Sequence, residues 1–454
     1  MSDTFIHSKR IIGFSLKKIG IKEINRLAVP AIIAGIAEPV ITLVDTAFIG
    51  KLGTSELAGV GIASSFYLMI IWVLAQTKSA ISAIVSRYYG KKKLSEIDDL
   101  IPQAFFLNAM LGLLVIAITV PLAIPIFKLY LAKGDVMHFA QEYYFIRSWG
   151  YPVTLSTFIL FGVFRGLQNT NWAMQVALVG GLVNLIGDYI LIFGLGPISA
   201  MGVKGAALAS LIAQVVMLGM AIGFLYKKTR YRIYFPKKLH KDVKWLFSMS
   251  KDFYVRTISL NLALYQTTRM ASAMGEAVMA AHTIAMNIWL FSSFFIDGYA
   301  NAANALSGRL FGERNMAGLK LLAQKIVWIS IGIGVLLGAS YALGYRAIPS
   351  FFTNDPLVTH YFLTIFWMVI IMQPINAIAF AYDGIFKGLG EAKLLRNALL
   401  LSTFLVFFPF VWLSGMFDWG FYAVWGSLMV WMISRAGTLM FLFRRWIKPY
   451  IQNV

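Results

Sequence analysis

Residues 27–53 read LAVPAIIAGIAEPVITLVDTAFIGKLG, an apolar run interrupted by two prolines and two carboxylates. About 20 apolar residues cross the roughly 30 Å hydrocarbon layer of a bilayer, and a charge at its centre costs about 2.5 kcal/mol or more. Glu38 and Asp45 therefore need a reason to be there. Seven residues apart, they lie two helical turns from each other on about the same face, so a polar stripe on a greasy helix can face a cavity. Pro39 is mid-span, where it removes a backbone hydrogen bond and tends to kink the helix, while Pro30 sits near the start. A bendable helix bearing an ionisable group suggests a moving part.

The rest of the chain is of the same kind. Of 454 residues, 59% are hydrophobic and 13% charged, and the mean hydropathy is +0.72. Soluble domains carry about 25% charged residues, so lipid must be the solvent here. The basic first 26 residues contain no apolar core followed by a small-residue cleavage site, so the first span is expected to serve as its own targeting signal. A formal charge of +20 raises the possibility of nucleic acid, but the basic residues sit in short connecting loops, as the positive-inside rule predicts, and no nucleic acid partner is expected. Cysteine is absent, which removes disulfides, thiolate metal sites and cysteine nucleophiles together.

Apolar runs predict an all-α polytopic membrane protein of twelve transmembrane helices, at roughly 27–49, 57–85, 103–127, 138–163, 171–194, 202–226, 245–272, 277–307, 321–345, 360–386, 394–416 and 420–443. Basic clusters fall in alternate loops: Arg87 with Lys91 to Lys93, the link from Lys227 to Lys244, Arg309 with Arg314, Lys387 with Lys393, and Arg444 with Arg445. Both termini and the central link are therefore expected on the cytoplasmic side of the cell (inner) membrane.

The link divides the chain almost evenly. Sliding the second half onto the first by 222 residues pairs Gly53 with Gly275, Arg87 with Arg309, Gly90 with Gly312 and Pro152 with Pro374. The same shift sets Phe164-Arg165-Gly166-Leu167 against Phe386-Lys387-Gly388-Leu389. The chain is read as a duplication, an N-lobe at 27–226 and a C-lobe at 245–443, joined by a basic linker at 227–244 and flanked by segments 1–26 and 444–454. An even number of spans per copy makes these parallel repeats, two six-helix bundles related by a pseudo-two-fold along the membrane normal around a central cleft. Gly219 with Gly223 and Gly334 with Gly338 have the spacing of helix-packing glycines.

The duplication breaks where the chemistry is expected. Asp45 aligns with Thr267 and Asp188 with Phe410. Span 5 reads VGGLVNLIGDYILIFGLG, with Asn184 and Asp188 four apart on one helical face. With Asp45 they give one lobe two deep carboxylates and an amide. Two carboxylates close together cannot easily both ionise, so a proton can load and leave; the same oxygens can hold Na⁺. Asp188 can instead cap a helix end, and Glu38 can be a second proton carrier or a boundary residue. Ser210 and either Tyr143 or Tyr144 can add oxygens to the cavity or bond locally. In the second half Arg256, Arg269, Asp297 and Asp383 are expected to pair mutually or to help close the cleft. No GxxxxGK[ST], HExxH or GxSxG motif is present, and no enzyme activity is expected.

With this layout and LVDTAFIGKLG in its first span, the chain resembles the multidrug and toxic compound extrusion (MATE) family, more narrowly its DinF-like branch. The similarity runs through AEPVITLVDTAFIGKLGTSELAGVGIA, SRYYGKKK, FRGLQNT and its echo FKGLGEAK. The resemblance implies secondary active export of amphipathic, often cationic, compounds, driven by inward H⁺ or Na⁺; no other cofactor is expected, and the chain is expected to act as a monomer. It implies that Asp45 couples to the ion in a network with Asn184 and Asp188, that Ser210 and Tyr143 join it, and that Na⁺, if used, is held by Asp45, Asn184, Asp188 and Ser210. It also implies a bend of the first helix at Pro30. The rival readings are a lipid-linked oligosaccharide flippase of the same superfamily, which calls for a cationic cavity, and a non-transporting membrane scaffold, which has no use for Asp45.

Overall fold

The structure, a computed structural model, describes residues 19–235, 238–417 and 419–452, without the side chains of 37–39 and 451–452. Most of the N-terminal segment, and the side chains of Glu38 and Pro39, thus lie outside the described residues. In hydrocarbon every backbone polar group must bond internally, and these apolar runs do so as helices. The first half contains α1 (Ile21–Gly50), α2 (Thr54–Leu74), α3 (Thr77–Gly90), α4 (Leu100–Thr119), α5 (Ala123–Leu129), α6 (Gly134–Arg147), α7 (Gly150–Gly166), α8 (Asn171–Phe193) and α9 (Val203–Lys228). The second contains α10 (Val243–Ala273), α11 (Glu276–Gly312), α12 (Met316–Leu343), α13 (Pro356–Leu389), α14 (Ala392–Leu401), α15 (Phe408–Met416) and α16 (Phe421–Gln452). Helices α2 with α3, α4 with α5, α6 with α7, and α14 with α15 each form one crossing, giving twelve. Ten of the crossings are long and apolar enough on composition alone; α6–α7 and α10 are the more polar two.

The fourth crossing differs from the single helix expected at 138–163. It is broken between Arg147 and Gly150, although Pro374, the counterpart of Pro152, lies inside the unbroken α13. Proline is therefore not the cause. Gly150, which the second half replaces with Met372, lets three polar side chains crowd against the backbone, as described below.

The 222-residue offset is a packing symmetry. A Cβ on Gly90 would lie 2.0 Å from the Arg309 carbonyl oxygen, and one on Gly312 would lie 2.1 Å from that of Arg87. These reciprocal contacts put the crossing of α3 and α11 on the pseudo-two-fold axis, where Ser82 Oγ also donates to Asn304 Oδ1 at 2.8 Å. Inside each half the equivalence repeats, Gly112 against Pro152 and Gly334 against Pro374. The packing expected of Gly219 and Gly223 is not found, since nothing stands within 4 Å of a Cβ at either; Gly334 meets the Gln373 carbonyl oxygen at 2.7 Å. Gly312→Val should accordingly destroy the α3–α11 crossing and the monodisperse peak in size-exclusion chromatography, while Gly219→Ala should leave that peak unchanged.

The side-chain hydrogen bonds described between the halves lie from mid-bundle to the end that carries the start of α1 and the end of α16. Arg309 Nη1 donates to Glu23 Oε1 at 2.7 Å, Tyr299 Oη to Asn25 Oδ1 at 3.1 Å and Gln168 Nε2 to the Ala305 carbonyl at 2.9 Å, while Thr77 and Tyr254 share a hydroxyl bond. The central link is clamped to the same end, with Arg230 on Asp98 at 2.9 Å and Tyr88 donating to Asp242 at 2.7 Å. The two lobes are tied at this terminal end.

Candidate functional site

The buried residues of α8 are Val176, Gly180, Asn184, Asp188 and Ile192, a stripe with a spacing of four. Gly180 and Gly181 leave no room for a Cβ, which would meet Met217 of α9 at 2.3 Å and Ile41 of α1 at 2.5 Å respectively. These bare positions draw α1 and α9 onto α8, and Asp45 stands one turn above Ile41. Asn184 Nδ2 donates to Asp188 Oδ2 at 2.7 Å and to Asp45 Oδ1 at 3.4 Å. The carboxyls of Asp45 and Asp188 are also within hydrogen-bonding reach of each other. Asp188 is fully buried, and its Oδ1 has no donor among the described residues. That rules against a helix-end cap, which would face solvent or a loop.

Toward the middle of the same lobe lies a cation. Arg147, the last residue of α6, holds its guanidinium carbon 4.0 Å from the centroid of the Tyr67 ring. Tyr143, one turn earlier, and Tyr67 are within electrostatic reach of it. Gln214 Nε2 donates to Tyr67 Oη at 3.4 Å. A Cβ on Gly150 would fall 2.2 Å from Gln214 Oε1, 2.7 Å from Arg147 Nη1 and 2.8 Å from Tyr67 Oη, so the absence of a side chain at Gly150 is what makes room for this cluster. Both Asp45 and Asp188 are within electrostatic reach of Arg147. The signal for Arg147 was in the sequence, a cation inside an apolar crossing, by the same cost that singles out Asp45. Tyr67 and Gln214 carried none.

The other expected residues divide. Tyr143 is buried within electrostatic reach of Arg147, whereas Tyr144 donates to Thr119 at 2.7 Å and meets Tyr151 at 3.2 Å. Ser210 is buried on α9 with no hydrogen bond to either acid among the described residues. Pro30 is buried within an α1 that runs unbroken as a helix. In the second half, Asp383 receives Arg256 at 2.5 Å, Lys387 at 3.0 Å and Arg435 at 3.4 Å. Asp297 accepts from Asn301 at 3.4 Å and is within electrostatic reach of Arg165 from the opposite lobe. Arg269 is exposed and makes no ion pair among the described residues. Thr267, standing where the first half has Asp45, donates to the Leu264 carbonyl at 2.8 Å.

The paired acids belong to one half of a duplicated bundle, and the duplication is matched by a single family model, MatE, which fits residues 30–190 and again 255–413. The chain belongs to the MatE family. MatE proteins are transporters, so this one is a multi-pass membrane transporter and not an enzyme. Among its relatives, Protein DETOXIFICATION 42 of Arabidopsis thaliana is 27% identical over 91% of this chain and 90% of its own length. DNA damage-inducible protein F of Escherichia coli (strain K12) is 26% identical over 93% and 92%. A probable multidrug resistance protein NorM of Photorhabdus laumondii is 27% identical over 93% and 95%. A crystal structure of MATE in the bent conformation superposes with a TM-score of 0.88 at 22% identity, covering 95% of this chain and 96% of that one. An outward-facing multidrug resistance MATE transporter gives 0.87 at 22% identity, covering 95% and 96%. These likenesses fix the MatE fold, twelve crossings in two bundles.

Proposed function

We propose that this MatE protein is an antiporter that exports amphipathic, often cationic, compounds in exchange for H⁺ or Na⁺ bound at Asp45 and Asp188. The observation that carries the reading is the meeting of those two carboxyls, each on a different helix, with Asn184 bridging them. An ion entering this pair changes the charge at the α1–α8 contact, and α1 is the helix with Pro30 near its start and α11 of the other lobe along its side. Loading the pair thus acts on an element of the first lobe that touches both the ion site and the partner lobe. Residues 27–226 and 245–443 form the two lobes, 227–244 the linker, and 1–26 and 444–454 the flanking segments, both termini lying on the cytoplasmic face of the inner membrane. The protein works as a monomer. The names borne by its relatives, among them a probable multidrug resistance protein, support the substrate class.

The test is reconstitution in liposomes loaded with ethidium, with a pH gradient or a Na⁺ gradient imposed separately. Efflux well above that of empty liposomes under at least one gradient is the expected result. No movement under either gradient would remove the antiporter reading and favour the flippase or scaffold.

A further inference from the structure

The first helix of each half has its start bonded to the other half. From Ile19 to Asn25, every side-chain hydrogen bond among the described residues goes to the second lobe. The Ile19 carbonyl accepts from Lys325 at 2.7 Å, Glu23 Oε1 from Arg309 at 2.7 Å, and Asn25 Oδ1 from Tyr299 at 3.1 Å. The first lobe takes hold of its own helix at the Leu27 carbonyl, which accepts from Thr170 at 2.9 Å. Helix α10 mirrors this, since the 222-residue offset sets Gln103, Arg87 and Thr77 where the second lobe has Lys325, Arg309 and Tyr299. Gln103 Nε2 donates to the Lys238 carbonyl at 2.5 Å, and its Oε1 accepts from the His240 backbone N–H at 2.9 Å. Arg87 sets its guanidinium carbon 5.4 Å from the centre of the Trp245 ring, and Thr77 shares a hydroxyl bond with Tyr254.

The two clasps differ in what breaking them costs. Glu23 and Arg309 keep 31% and 14% of their side chains exposed, so water can replace the pair. Glu313 Oε1 also stands 3.5 Å from Arg309 Nε on the same helix and keeps that cation paired when Glu23 leaves. Gln103 is only 6% exposed and both ends of its amide are engaged by the link, so parting there strands buried donors and acceptors. The link is moreover the covalent chain from α9 into α10, fastened to the first lobe along its way. Arg230 bonds Asp98, Tyr231 donates to the Leu94 carbonyl at 3.2 Å, and Asp242, the residue before α10, accepts from Tyr88. The start of α10 is thus held to the first lobe by chain and by bonds, whereas among the described residues the start of α1 is held to the second lobe by non-covalent contacts alone.

We propose that these clasps divide the work when the lobes part at this end: the start of α10 is the pivot and stays, while the start of α1 is the gate and lets go. Transport through a bundle needs each end to open in turn. Opening at the gate releases Glu23 and Asn25 from Arg309 and Tyr299 and leaves Arg309 to Glu313. It then parts the apolar seam behind them, Ile32 on Gly298 and Phe294 on Gly35. The opening is one-sided, although the fold that carries it is two-fold.

The chain has no cysteine, so an introduced thiol is the only one. Ala302 lies on α11 between Tyr299 and Arg309, Ala80 takes the same place on α3 between Thr77 and Arg87, and both are fully buried. Ala302→Cys and Ala80→Cys are each treated with a charged maleimide in detergent, alone and combined with Glu23→Gln and Asn25→Ala. The expected result is slow labelling at position 302 that rises about tenfold or more once the gate bonds are removed, as the open population grows, with position 80 unlabelled in both backgrounds. Exchanging the gate charges, Glu23→Arg with Arg309→Glu, should return position 302 to the slow rate, which a merely loosened α1 would not show. Leu306→Cys and Ile84→Cys, about one turn further on the same two helices, repeat the comparison if either alanine variant fails to give a monodisperse peak. Equal labelling at positions 80 and 302, or labelling at 302 indifferent to Glu23→Gln and Asn25→Ala, would overturn the inference. No substrate or ion gradient enters the measurement, so its outcome is independent of the antiporter reading.

Discussion

Asp45→Asn is expected to reduce gradient-driven efflux to the leak of empty liposomes while leaving ethidium binding within about threefold of wild type. The substitution is nearly isosteric, so the contact of α1 with α8 and the Asn184 hydrogen bond to position 45 can survive. What it removes is one of the two groups able to take up and release a cation. One charge moving through 100 mV supplies about 2.3 kcal/mol. By the factor of ten per 1.4 kcal/mol, that sustains a gradient of about fiftyfold for an uncharged substrate, whereas one-for-one exchange of H⁺ for a monovalent cation such as ethidium moves no net charge and draws on the pH difference, about tenfold per pH unit. An Asn at 45 leaves Asp188 without the second carboxyl that meets it across the Asn184 amide, and so without the group with which it would share the ion. The measurement is the initial rate of ethidium release together with equilibrium binding to the solubilised protein. Wild-type rates in the variant would show that the ion enters elsewhere. Loss of binding along with transport would show that Asp45 builds the substrate cavity and does not couple it.

Asp383→Asn should be the most destabilising single substitution in the second lobe, by about 3–5 kcal/mol, because it strands buried cations. Arg256, Lys387 and Arg435 all converge on this carboxylate, and Arg256 and Arg435 are 5% and 3% exposed. They reach it from three helices, α10, α13 and α16, so the cluster fastens the second lobe together near the end where the lobes meet. A neutral amide cannot balance three positive charges. The consequence is read as a drop in the thermal unfolding midpoint in detergent and in the yield of monodisperse protein. Arg269→Gln, at an exposed position without an ion pair, should stay within about 0.5 kcal/mol of wild type. Equal effects from the two would mean that the cluster contributes no more than a surface charge. The same locked arrangement separates this lobe from the first, where the two acids meet each other across the Asn184 amide.

Much of the architecture was legible in the amino-acid order because lipid allows so few solutions. Hydrophobic run lengths give crossings, and the 222-residue offset gives a symmetry that reappears as the reciprocal contacts of Gly90 and Gly312. The cost of burying charge singled out Asp45 and Asp188, and a spacing of four placed Asn184 beside Asp188. What the order of residues did not determine is which side chains from different helices share a space. Gly219 and Gly223 have the spacing of packing glycines and a Cβ at either would meet nothing within 4 Å, while Gly150, in no motif at all, leaves room for Arg147, Tyr67 and Gln214. The reason is physical: a helix's own periodicity fixes which residues share its face, but the neighbour that face meets is chosen by packing across the bundle. The acids could be inferred from one helix at a time; the cluster of Arg147, Tyr67 and Gln214, drawn from α6, α2 and α9, was decided only in three dimensions.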